Sequence, residues 1–199
     1  QELIEHPRNA SKCKWEMLDG GNWRDLLEEC PQFADKCKWE MLDGYNWECL
    51  LCDHPEFADK WDWRKMNEEL DAEAWVNLLC DHPEFADKWD EMSELMDSSQ
   101  LVFLLSQQPQ LADKCDVDVL NGSDWAELLS KRPELADRCV WKKLDGGDWA
   151  TLLSSQPQFA DKCKWEKLGD LDWIALLSSQ PQFADKCDWK KLDVSSWRW

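Results

Sequence analysis

The sequence predicts an all-α solenoid of short tandem repeats, and three observations predict it. First, a sentence of about twenty-four residues is written eight times, most plainly as "DGGDWATLLSSQPQFADKCKWEKL" over residues 145–168. Second, all eight prolines mark its phase: Pro7, Pro31, Pro55, Pro83, Pro109, Pro133, Pro157 and Pro181, at intervals of 24, 24, 28, 26, 24, 24 and 24. Third, apolar residues recur at helical spacing, and nothing alternates with period two as a strand would. A fixed period in the twenties means stacked supersecondary repeats, each of which buries its apolar face only against its neighbours.

Within one repeat the elements follow in order. Asp145 and Gly146 read as a turn, with the glycine suited to a left-handed residue at a helix end. Asp148, like Asn22, Asn46, Asp124 and Asp172, stands just before the tryptophan, where an N-cap is expected. Trp149, Leu152 and Leu153 follow at i, i+3 and i+4 and define one helical face. Pro157 opens a second short α or 3₁₀ segment, with Phe159, Ala160 and Cys163 on one side. Trp165 and Leu168, three apart, suit a closing 3₁₀ turn. The expected architecture is a single elongated repeat domain over 1–199, with seven to eight repeats.

This pattern resembles the leucine-rich repeat variant class of α-solenoids, through its period, its "LL…P" core and its helix content. The resemblance implies an α-helix and a 3₁₀ helix per repeat in a right-handed superhelix. Phrases such as "FADKC" and the tryptophans depart from that class. They resemble Trp-rich tandem repeats of uncharacterised bacterial proteins. Neither resemblance implies an activity.

The sixteen tryptophans are explained by the repeat. One set lies eight residues before the proline (Trp23, Trp47, Trp75, Trp125, Trp149, Trp173). The other lies eight after it (Trp15, Trp39, Trp63, Trp141, Trp165, Trp189). Both sets are expected in the core. The two long intervals, through "RKMNEELDAEAW" and "DEMSELMDSSQL", predict an irregular joint near 64–104. There Leu101, Glu91 and Val117 replace tryptophans, and Trp61 and Trp89 replace cysteine. The reading is a repacked joint; a binding notch is the alternative.

Six of the ten cysteines form one column: Cys13, Cys37, Cys115, Cys139, Cys163 and Cys187. Helical layers pack roughly 8–10 Å apart, beyond the ~7 Å Cα separation a disulfide allows. Free, buried thiols acting as small hydrophobes are expected, which favours cytoplasm or another reducing compartment. Cys30, Cys49, Cys52 and Cys80 lie elsewhere, near His6, His54 and His82, which precede prolines. A redox or soft-metal role for them is conceivable. However, equivalent sites are a layer apart and residues two apart on a helix diverge, so polar edge residues are the reading, with no metal and no cofactor expected.

The chain carries 42 acidic and 23 basic residues, a formal net charge of −19. Residues 1–100 hold 26 acids and 10 bases, net −16; residues 101–199 hold 16 and 13, net −3. Such a surface repels nucleic acid and anionic lipid, and no apolar run approaches the ~20 residues of a membrane helix. The chain opens and stops inside repeats, at "ELIEHP" and "SSWRW", so further repeats or a leader are expected to lie outside it.

No phosphate loop, metal-protease or nucleophile-elbow motif is present, and no catalytic residues are expected. The Asp-Lys column (Asp35 and Lys36 through Asp185 and Lys186) reads as a solvated stripe. The expected function is a non-enzymatic protein-binding scaffold. Positions one, two and five after the tryptophan, and two before it, are expected to face outward and form the contact face. Its candidates are Tyr45, Glu48, Val76, Val102, Phe103, Glu127, Leu171 and Ile174. The alternative is an acidic nucleic-acid mimic that inhibits a basic protein.

Overall fold

A computed structural model describes residues 7–63, 70–91 and 96–189. Among them every regular element is helical. Among the described residues seven α-helices of ten residues each follow in chain order: α1 (Gly20–Glu29), α2 (Gly44–Asp53), α3 (Ala72–Asp81), α4 (Ser98–Gln107), α5 (Gly122–Lys131), α6 (Gly146–Ser155) and α7 (Asp170–Ser179). Each is followed by a 3₁₀ helix that starts at its proline, as at Pro31–Lys36 and Pro157–Asp161. In the regular repeats a second 3₁₀ turn closes the repeat, as at Trp39–Met41 and Trp165–Lys167. The protein is an α-solenoid of short repeats. His6, Trp197 and residues 64–69 and 92–95 of the two inserted stretches lie outside the described residues, as do the side chains of Trp89 and Glu91.

The chain groups into two compact units, Gln1–Met96 and Asp97–Trp199. The division falls inside the interval 64–104, where the repeat spacing changes. In the N-terminal unit α1 packs on α2 and α2 on α3; in the C-terminal unit α4, α5, α6 and α7 pack in sequence. An isolated helix of ten residues is marginal in water, so these helices depend on their neighbours. Trp23, Leu26 and Leu27 of α1, and Trp149, Leu152 and Leu153 of α6, are buried. A Leu→Ala change at such a site costs ~2–5 kcal/mol.

The tryptophans divide into two roles. Those opening the α-helices are buried; those of the closing turns are half-buried, and Trp189 is exposed, which corrects the expectation that both sets are core. The outer rings of Trp15, Trp39, Trp141 and Trp165 lie nearly flat on an inner one, whereas Trp63 meets Trp75 edge-on at 69°. Trp15 stacks on Trp23 at 5.6 Å, and Trp141 on Trp149 at 5.4 Å. The reason is position: a closing turn sits at the edge of its layer, where one ring face meets the core. Trp61, standing in the cysteine column, stacks on Trp47 at 5.5 Å with 6° between the planes. The buried Nε1 atoms of Trp23, Trp61, Trp75, Trp125 and Trp149 have no hydrogen-bond partner among the described residues. Ring packing therefore has to outweigh that cost at these five positions.

The helix starts differ from the sequence reading by one turn. The N-caps are Asp19, Asp43, Asp71, Asp97, Asn121 and Asp145, whose side chains accept from the backbone N–H three residues on. Asp148 is the third helical residue. Its carboxylate returns a 2.9 Å bond to the Asp145 N–H while Asp145 accepts the Asp148 N–H at 2.9 Å, a reciprocal capping box. Gly146 is likewise the first helical residue, and no described residue has positive φ. Glycine is needed there for space: a Cβ on Gly146 would collide with the Lys167 carbonyl and the Asp172 carboxylate of the next repeat.

Candidate functional site

A donor ladder joins successive repeats. The last turn of an α-helix leaves carbonyls without partners inside the helix. In five repeats the residue before the proline reaches back to one of them in the preceding repeat. His54 Nε2 donates to the Glu28 carbonyl at 3.1 Å, and His82 Nε2 to that of Cys52 at 2.9 Å. In the C-terminal unit Arg132 Nε donates to Ser106 O at 2.6 Å, and Gln156 and Gln180 Nε2 to Ser130 O and Ser154 O at 2.8 Å. His54 and His82 are thus structural donors, with Nδ1 against Glu56 (2.9 Å) and Glu84 (3.1 Å). Burial works to lower the His54 pKa, but the Glu28 carbonyl and the Glu56 carboxylate outweigh it and raise it above 6.5. A second ladder is made by lysine: Lys143 Nζ donates to Asp118 O at 2.6 Å and Leu120 O at 2.7 Å, and Lys167 repeats this one layer on.

All ten cysteines are free. The column is less deeply placed than expected. Cys13, Cys37, Cys115, Cys139 and Cys163 are half-buried, while Cys187 and the off-column Cys30 are buried. They sit just past the 3₁₀ segments, at the layer edge. Desolvation still pushes the thiols of Cys37, Cys115, Cys139 and Cys163 up to about 12, and that of Cys52 up to about 11. Among the described residues no group of three or more His, Cys, Asp or Glu side chains is placed to hold a metal.

The outward positions separate into two classes. Tyr45 and Leu171, two before the tryptophan, are 64% and 76% exposed, and Phe103, two after the equivalent Leu101, is 50% exposed. Glu127 is exposed and pairs with Lys131 at 2.8 Å across one turn. The position one after the tryptophan faces inward instead. Val76 and Val102 are 3% and 2% exposed, and Ala126 and Ala150 are buried too, so Val76 and Val102 are not surface contacts. This position lies about 100° round the helix from the tryptophan, on the flank that a stacked neighbour covers. Glu48 and Ile174, at the same position, are half-buried. The position five after is half-buried in most repeats, because it supplies the carbonyl and the side chains of the ladder edge.

Tyr45 and Glu48 are brought together. With Leu70, Asp71, Glu73 and Asn77 they line a groove of about 340 Å³ between α2 and α3. The Arg24 guanidinium sits 5.4 Å from the Tyr45 ring centroid. A hydrogen bond with the Cys49 side chain raises the Tyr45 phenol above its ordinary range. Phe103, Glu127, Leu171 and Ile174 belong to the C-terminal unit, on α4, α5 and α7.

The Asp-Lys column is solvated, with adjacent pairs such as Lys36 and Asp35 at 2.6 Å. Arg138 departs from this by also reaching back to Asp113 and the Ala112 carbonyl in the preceding repeat. Among the described residues no helix is long and apolar enough to cross a membrane. Compared with family models, curated proteins and solved structures, the chain matches none.

Proposed function

We propose that the chain is a non-enzymatic protein-interaction scaffold whose contact face is the exposed ridge of successive α-helices. The observation that carries this is the exposure of Tyr45, Phe103 and Leu171 on a frame whose equivalent positions hold Gly21, Thr151 and Gly147. Large side chains with half or more of their surface in water, on a constant core, are how repeat proteins specify a partner. Glu48, Glu127 and Ile174 border this ridge. Asp19, Asp43, Asp71, Asp97, Asn121 and Asp145 serve as helix caps, a structural role that fits a scaffold. The half-buried, high-pKa thiols suit a reducing compartment.

The groove beside Tyr45 supports a second reading. Glu48, Asp71 and Glu73 on its walls, within a half of net charge −16, suit a basic protein that the chain would engage as an acidic mimic. Affinity capture from a lysate with the wild type and a Phe103→Ala, Leu171→Ala variant tests the first. Both side chains are exposed, so the variant should melt as the wild type does and lose a reproducible set of partners. Unchanged capture overturns the ridge. Capture that vanishes above ~0.5 M salt, for the wild type and the variant alike, favours the acidic mimic.

A further inference from the structure

Two grooves in the molecule share one construction. In the N-terminal unit Trp39, Glu40, Trp47, Lys60 and Asp62 line a groove of about 200 Å³. In the C-terminal unit Trp165, Glu166, Trp173, Lys186 and Asp188 line one of about 350 Å³. These are the same repeat positions, residue for residue. Each groove is edged by a half-buried indole held rigidly in place. Trp39 stacks on Trp47 at 5.4 Å and leans on Phe57 at 5.3 Å; Trp165 stacks on Trp173 at 5.6 Å and leans on Phe183 at 5.3 Å.

The walls carry a consistent sign. The rim lysines are paired with their own neighbours, Lys60 with Asp59 at 2.9 Å and Lys186 with Asp185 at 3.6 Å. Glu40 and Glu166 are exposed beside the indoles, and Asp62 and Asp188 are exposed in the same groove linings. The next-door repeat reverses this charge. Around Trp141 the positions of Glu40 and Asp62 hold Lys142 and Lys164. One aromatic platform is thus repeated with walls of different sign.

We propose that the Trp39 and Trp165 grooves are binding sites for a basic peptide segment, each taking one arginine or lysine side chain. An indole face attracts a cation through its quadrupole. The apolar edge accepts the methylene stem, and the Glu40 or Glu166 carboxylate pairs with the charged head. Arginine fits better than lysine, because its planar, weakly hydrated guanidinium stacks and pairs at once. Neither Tyr45, Phe103 nor Leu171 lines either groove, so this surface is distinct from the helix ridge.

The test is a titration of the full chain, labelled at the indole Nε1–H, with a terminally blocked tri-arginine peptide. The Trp39 and Trp165 resonances should shift and saturate while Trp141 stays in place. Glu40→Lys should weaken the Trp39 response about fivefold and leave Trp165 unchanged. Glu40→Gln, which removes the charge alone, should act in the same direction. Lys142→Glu with Lys164→Glu should give Trp141 a response. Phe103→Ala should alter none of these, which separates this result from any failure of the ridge. Equal shifts at Trp141 in the wild type, no shift at Trp39 and Trp165 up to about millimolar peptide, or full binding at Trp39 in Glu40→Lys would each overturn the proposal.

Discussion

His54 donates from Nε2 to the backbone carbonyl of Glu28, 3.1 Å away and twenty-six residues earlier. The bond spans one repeat boundary and satisfies the end of one helix with the start of the next segment. Protonated, the ring also donates from Nδ1 to Glu56, whose own carboxyl is held below its ordinary range, first by its own backbone N–H and then by His54. The folded pKa of His54 is raised, so its contribution is fully present below about pH 6.5 and lost as pH rises through the elevated value. Melting temperature should therefore fall with rising pH across that interval. In His54→Gln, which supplies the donor used at Gln156 and Gln180, this slope should flatten. An unchanged slope would detach the effect from His54.

The cysteine column gives a second expectation. With thiol values near 12, Cys37, Cys115, Cys139 and Cys163 carry little thiolate at pH 8. Alkylation of the native protein, read by peptide mass, should leave these four largely unmodified. In denaturant they should react within the ordinary time of a free thiol.

Glycines at consecutive positions of the repeat, Gly122 and Gly147, should answer oppositely to alanine. A Cβ on Gly122 would stand 2.5 Å from the Lys143 carbonyl, a contact between layers. Gly122→Ala should cost roughly 1–3 kcal/mol as overpacking. On Gly147 the nearest atom would be Asp145 Oδ1 at 3.5 Å, an ordinary contact. Gly147→Ala should gain about 0.5–1 kcal/mol from helix propensity. Denaturant midpoints of the two variants decide it.

The lysine ladder belongs to the C-terminal unit. Lys143 bridges Asp118 O and Leu120 O, whereas the equivalent places in the N-terminal unit hold the exposed Met17 and Met41. Lys143→Met should lose about 1 kcal/mol and speed amide exchange in the turn Val117–Val119, with the α-helical signal retained.

Much of this architecture was legible. Proline phase set the repeat, and Trp149, Leu152 and Leu153 set the helix and its buried face. The failures share a physical cause. Asp145 and Asp148 cap each other across the helix start, so either reads as the N-cap from sequence alone. Gly146 looked like a helix end because its demand for space comes from Lys167, twenty-one residues away. Val76 and Val102 looked outward because a single-helix projection contains no neighbouring layer. The pre-proline column of His54, His82, Arg132, Gln156 and Gln180 carried a usable signal that the sequence reading missed: in these five repeats it is a side chain able to donate. The Trp39 groove was hidden for a similar reason, since its outer tryptophan shared a column with residues expected in the core.

The bonds between layers all run to equivalent addresses one repeat back: Gln156 to Ser130 O, Gln180 to Ser154 O, Ser155 to Ser130 and Ser179 to Ser154. The connections are therefore interchangeable, like identical couplings on a train. A carriage could be removed by joining Asp145 to Asp170, and the neighbours on either side would present each other with the same sockets.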